Sequence, residues 1–277
     1  MGQCHGVGHG AIIGGLLPDL FGHLAEAAGF SAYDVSYVLS LAVMLVVFLY
    51  TLMFIVEEPR PRHPKALKQG FATVPLVVKE AGVLAMRHST VSMPLAAMAF
   101  FLMATNPVEV IWPTHVKPML AAGHANTAIG ILTAVYFFSI AFGASLSPHI
   151  SRLLKRRHAH TLAMVFACLA GLQIALALQG GFIGFAGVFI LYSVALGVSE
   201  TPASSLLHRC VEDRQRATLL SLRSLVQQLG AALGLILVAT IAELTSTPIA
   251  WMVSALFLAV AVVLMGFLAK GSGAQDV

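Results

Sequence analysis

Residues 34–56 read DVSYVLSLAVMLVVFLYTLMFIV and carry no charge after Asp34. Such a stretch matches the ~20 apolar residues that take a helix across the hydrocarbon core of a bilayer. Comparable windows recur at 89–112, 126–149, 160–178, 182–206, 217–243 and 249–269, and residues 1–17 make an eighth, shorter one. The breaks between them are Pro, Gly and charged residues, as expected at helix ends. Composition agrees. Only 10% of residues are charged against 58% hydrophobic, and a soluble domain carries about 25% charged residues. The expected fold is all-α, a polytopic transmembrane bundle of about eight spanning helices.

The sixteen Lys and Arg residues orient that bundle. Counting windows alternately, one side receives Arg60, Arg62, Lys65, Lys68, Lys79, Arg87, Arg152, Lys155, Arg156, Arg157, Arg209, Arg214, Arg216 and Lys270. The other side receives Lys117, and Arg223 lies inside a window. The positive-inside rule makes the basic side cytoplasmic, with both termini on it, in a plasma (inner) membrane. Topology and anionic lipid account for the net charge of +4, and no nucleic-acid partner is expected. The N-terminus lacks the basic region of a cleavable signal.

The loops divide the chain. Residues 1–56 carry the first two windows, 57–88 form a long basic cytoplasmic segment expected to lie at the interface, and 89–277 hold six windows and a short tail. The three cysteines, Cys4, Cys168 and Cys210, suggest neither a disulfide framework nor a metal site. His5 and His9 have metal-ligand spacing but no third ligand in view. No cofactor is expected. The absence of paired carboxylates, Cys/His ligands or an activated Ser argues against an enzyme.

The glycine-rich opening, GVGHGAIIGG, runs from Gly6 to Gly15 before Pro18 stops it. Spacing by four puts Gly6, Gly10 and Gly14 on one helical face, and small residues in lipid let helix backbones approach closely. The stretch, Gly15 included, therefore reads as a packing ridge. A dinucleotide-binding reading needs a preceding strand, which residues 1–5 do not supply.

Several segments resemble one family. Gly6, Gly10, Gly14 and Gly15 match the pattern G-x-x-x-G-P-x-x-G-G of the fifth helix of drug–proton antiporters in the major facilitator superfamily, with Ala11 in place of its Pro. FIVEEPRP resembles the close of the superfamily's sixth helix, and SPHISRLLKRRHAH its basic loop between helices eight and nine, with Leu154 for a glycine. RATLLSLRSLVQQLGAALG resembles the start of helix eleven. The resemblance implies secondary transport of a small molecule by alternating access at a midplane site, driven by an ion such as the proton. It also implies that the chain corresponds to helices five to twelve, either as a piece of a longer transporter or as a short form. The alternative is a truncated, non-transporting membrane protein acting as partner, scaffold or inert fragment.

Charged and polar groups inside the windows are the site candidates, because they are costly in a membrane. Glu109 is the candidate for ion coupling. Asn106-Pro107 just before it should kink or unwind the helix and free a carbonyl, and Trp112 suits the interfacial belt. Asn106, Tyr136, Tyr192, Gln227 and Gln228 are candidates for the substrate cavity, with Gly230 and Gly234 giving a close helix contact beside the glutamines. Glu200 is expected to pair with Arg209 or Arg223 and to hold an inner gate with Arg223. Cysteines placed singly near His124 and Gly180 should react with an impermeant reagent added outside cells, and those near Arg156 and Arg214 should not. External labelling at Arg156 would reverse the orientation.

Overall fold

In a computed structural model, residues 2–55, 89–120, 124–155, 157–209 and 216–272 are described. Among them are eight α-helices and no strand: α1 (Gly2–Ala27), α2 (Asp34–Phe54), α3 (Ser89–Val116), α4 (Ala125–Leu153), α5 (His158–Ala177), α6 (Phe182–Arg209), α7 (Arg216–Leu244) and α8 (Thr247–Ser272). Seven of these, α2 to α8, are long and apolar enough to cross a membrane. The helix α1, with its glycines, histidines and Asp19, is not in that set. The interfacial placing expected for 57–88 falls outside the described residues.

The expected windows and the helices coincide within a few residues except at α1, which does not stop at Pro18 but continues to Ala27. A proline inside a helix removes one N–H and leaves the carbonyl four residues earlier without its partner. Here that carbonyl is Gly14's, and the Ser36 hydroxyl of α2 donates to it at 3.2 Å. The replacement bond lets the helix continue. It ends instead in a Schellman turn, with Gly29 at φ +82° and the N–H groups of Gly29 and Phe30 donating to Glu26 and Ala25.

The bundle is built from pairs of helices in close contact. The partners are α4 with α6, α3 with α7 and α8, α5 with α8 and α6, and α1 with α4. Glycines set the spacing. Gly143 of α4 lies against the Val194 carbonyl of α6, and Gly197 of α6 lies against the Ile140 carbonyl of α4, a reciprocal contact. Gly230 and Gly234 of α7 seat on the backbone of Ala99 and Met103, one turn apart on α3. At α1 the close approach belongs to Gly15, where a Cβ would come within 2.7 Å of the Asn126 carbonyl oxygen and of the Gly130 Cα. Gly14 faces open space, so the expected ridge is displaced by one residue there; the surroundings of Gly6 and Gly10 lie outside the described residues.

The core lies between α3, α5, α6 and α8, where Phe166, Phe185, Phe189, Leu162, Leu258 and Trp251 are fully buried. A fully buried amide, Gln173 of α5, ties three helices together. Its Nε2 donates to the Trp251 carbonyl at 3.1 Å and to the Ser254 hydroxyl, both on α8, and lies 3.5 Å from the Ala104 carbonyl of α3. In contrast, α2 has no buried residue, and among the described residues its one broad helix contact is with α1.

Gly143→Ala should force α4 from α6, because the new methyl meets backbone rather than a movable side chain. Overpacking of this kind costs about 1–3 kcal/mol. Gly171, on α5, has open space at the same position. The detergent-solubilised melting temperature should fall for Gly143→Ala and not for Gly171→Ala; equal melting would mean that the α4–α6 contact is slack.

Candidate functional site

The structure brings together three of the residues singled out above, from three helices. Glu109 lies seven residues before the end of α3, about 10 Å from that terminus, in the half of the bundle opposite the basic end. Its side chain is exposed. The Tyr136 hydroxyl of α4 lies close to its carboxylate, near enough for the charge of Glu109 to act on Tyr136 and on Tyr192 of α6. An exposed carboxylate beside a buried phenol can hold a cation or a proton on the side facing away from the tyrosine.

Aromatic stacking fixes the phenols. The Tyr136 ring stacks on Phe189 at 5.4 Å, and Phe189 lies 4.9 Å from Trp112 and 6.5 Å from Tyr192 between ring centroids. Trp112, expected in the interfacial belt, is instead buried against Phe185 and Phe189, because α6 presents those rings to it at that depth. Tyr192 is 1% exposed and Tyr136 5%, so both phenol rings are buried. The Tyr192 hydroxyl has no hydrogen-bond partner among the described residues, a condition that buried polar groups rarely sustain. Ser139, one turn after Tyr136, and Ser193, directly after Tyr192, are buried, and Ser193 donates to its own helix at Phe189.

Unwinding at Asn106-Pro107 does not occur. The helix α3 is continuous through Pro94, Pro107 and Pro113. Pro107 releases the Met103 carbonyl, but Gly234 of α7 is packed directly on that group. The carbonyl is covered by backbone and is not open to a ligand. Asn106 is half-buried next to it, Gln227 is half-buried, and Gln228 is exposed on α7. These amides do not join the Glu109 cluster by any described bond.

A second polar group sits in the basic half. Arg223, seven residues into α7 and so about 10 Å from its start, reaches α6 twice. It lies 3.4 Å from a Glu200 carboxylate oxygen and donates to the Ser204 hydroxyl at 3.1 Å. The Arg223 side chain is 12% exposed and that of Glu200 59%. Of the two arginines considered for Glu200, Arg223 is the partner; the Arg209 side chain lies outside the described residues. Among the described residues the two helices share no broad contact; this bridge joins α6 to α7 beside the small cluster of Val91, Leu95, Leu207 and Leu219. Ser204 was not anticipated. Its place one turn after Glu200, in SETPASS, was the available signal.

Gly143, Gly197, Ser147 and Gln173 were likewise missed. In sequence they are isolated small or polar residues in apolar windows. Gln173, the one amide in TLAMVFACLAGLQIALAL, carried the clearest signal, since an unpaired amide in hydrocarbon is unfavourable.

No curated protein was found to match the chain. The sequence profile described as Major Facilitator Superfamily matches residues 95–275, which takes in nearly all of α3 to α8 and more than half of the chain. With an integral-membrane helix bundle in place, that match assigns the polypeptide: it belongs to the Major Facilitator Superfamily, whose members transport small molecules across membranes.

Proposed function

We propose that the protein is a secondary transporter that moves a small molecule by alternating access and couples it to protons through Glu109. The observation that carries this reading is the exposed Glu109 carboxylate beside the buried Tyr136 phenol. An ionisable residue inside a spanning segment is expensive unless function requires it. Glu109 takes a proton from one side and releases it to the other as access alternates, and Tyr136 keeps the carboxylate in place through the cycle. Asn106, Gln227 and Gln228 supply hydrogen-bonding groups to the substrate. Residues 1–56 and 89–277 form the two bodies that rock, linked by 57–88.

The basic end is cytoplasmic in this reading, in a plasma (inner) membrane, with both termini on that side. Glu200 and Arg223, both within 89–277, then form an inner gate through local movement of α6 against α7 rather than through separation of the two bodies. An ion pair with one partly exposed member suits that role, because water reaching Glu200 lowers the cost of separating the charges.

Glu109→Gln keeps the shape and most hydrogen bonding but cannot exchange a proton. In proteoliposomes, this variant should lose accumulation driven by a pH gradient yet retain downhill exchange of the transported molecule. Full uphill transport by Glu109→Gln would remove Glu109 from the mechanism, and Glu200 would be the next candidate. Absence of any flux from the unaltered protein would favour the non-transporting reading.

A further inference from the structure

At the end opposite the basic one, the Asp19 side chain of α1 binds the start of α4. The Asp19 carboxylate accepts the Thr127 backbone N–H at 2.8 Å, the Thr127 hydroxyl at 2.6 Å and the Asn126 amide at 2.9 Å. The first N–H groups of a helix have no partner within it and are normally served by a capping side chain from the residue just before. At α4 that residue is His124, which makes no side-chain cap. A carboxylate from another helix serves instead, and its negative charge suits the positive end of the helix dipole.

The contact extends across the loops. The Asn126 side-chain oxygen accepts from the Tyr33 hydroxyl at 3.2 Å, and that hydroxyl accepts from Lys117 Nζ at 3.1 Å. The Lys117 ammonium also lies over the Tyr33 ring. Residues from the α1–α2 hairpin are thus joined to the start of α4 and to the turn after α3. Deeper in the same seam, Gly15 closes on Asn126 and Gly130. Burial raises the Asp19 pKa, but the Thr127 hydroxyl and amide, the Asn126 amide and nearby His124 together bring it below the ordinary carboxylate value. The cap is therefore charged at neutral pH.

We infer that Asp19 is an outer latch, a carboxylate on α1 that caps α4 and holds the α1–α2 pair against the six-helix unit at the end away from the basic residues. The latch rests on the alternating-access reading: opening that end requires the cap to come off, and its loss shifts the resting protein toward the open-outward arrangement. Asp19 with Thr127 joins the two bodies at that end, and so opposes its opening.

Double electron–electron resonance on the purified full chain tests this, with Cys4, Cys168 and Cys210 replaced by Ser. One label pair, Ala28→Cys with Thr114→Cys, reports the outer end; another, Phe54→Cys with Leu153→Cys, reports the basic end. All four positions are exposed. In Asp19→Ala the outer distance should shift to a longer population and the basic-end distance to a shorter one. Unchanged distances, or lengthening at both ends, would overturn the latch, because a merely structural contact loosens without a reciprocal closure. If Asp19→Ala cannot be purified, Thr127→Val, which removes the hydroxyl and spares the backbone bond, should give the same pair of shifts at smaller amplitude. The same two outcomes would overturn the latch in that variant. The readout requires no transport. Flux with unmoved distances would refute the latch alone, and reciprocal shifts without flux would refute only the transport reading.

Discussion

In hydrocarbon, a backbone N–H or C=O group without a partner costs several kcal/mol, and no water is present to relieve it. Much of this bundle follows from that constraint because its helices are interrupted by prolines. Pro18 leaves the Gly14 carbonyl without a helical donor, and Ser36 supplies one from α2. Pro202 does the same to Val198, and Ser147 of α4 donates to that carbonyl at 2.7 Å. Each of these two prolines thus leaves an acceptor that a neighbouring helix satisfies. At α3 the solution is different: the carbonyl released by Pro107 is shielded by Gly234. What looks in sequence like a helix breaker acts in the fold as an instruction for which helices must meet.

The glycine contacts complete the pairing. Lipid tails are as apolar as leucine, so burial of side chains does not by itself drive helices together, and close packing has to do so. Gly143 with Gly197, and Gly230 with Gly234, bring backbone against backbone along α4–α6 and α3–α7. Larger aromatic groups then fill the interior between α3, α6 and α8. The polar residues left over fall at two depths. Glu109 with Tyr136 occupies one half of the bundle, and Arg223 with Glu200 and Ser204 the other.

Most of the architecture was legible in the sequence because length and apolarity are local properties: each of the seven longer windows lies on a helix whose bounds differ by a few residues. The Glu200–Arg223 contact was legible too, since two opposite charges in adjacent windows have few other ways to be accommodated. The choice of contact partners was not. A glycine announces that something approaches closely but not what, so the shift from Gly14 to Gly15 and the reciprocal Gly143–Gly197 contact needed the fold. Asp19 escaped notice for a related reason. It lies just past the first apolar window, next to a proline expected to end the helix, where a carboxylate reads as an ordinary solvated group. Only the continuation of α1 through Pro18 carries it to Thr127, which is 108 residues away in the chain.

The unequal lengths of the helices have a mechanical consequence. The 21 residues of α2 span about 32 Å, close to the ~30 Å thickness of the hydrocarbon core. The 29 residues each of α4 and α7 span about 43 Å and must tilt or project into the headgroups. A bilayer of longer or shorter acyl chains would leave α2 over- or undersized while the longer helices adjusted by tilting, at a cost of fractions of a kcal/mol per ångström. Because the one broad contact of α2 among the described residues is with α1, that load passes chiefly through this neighbour. Membrane thickness is thereby a mechanical input to this protein, applied at its least supported helix.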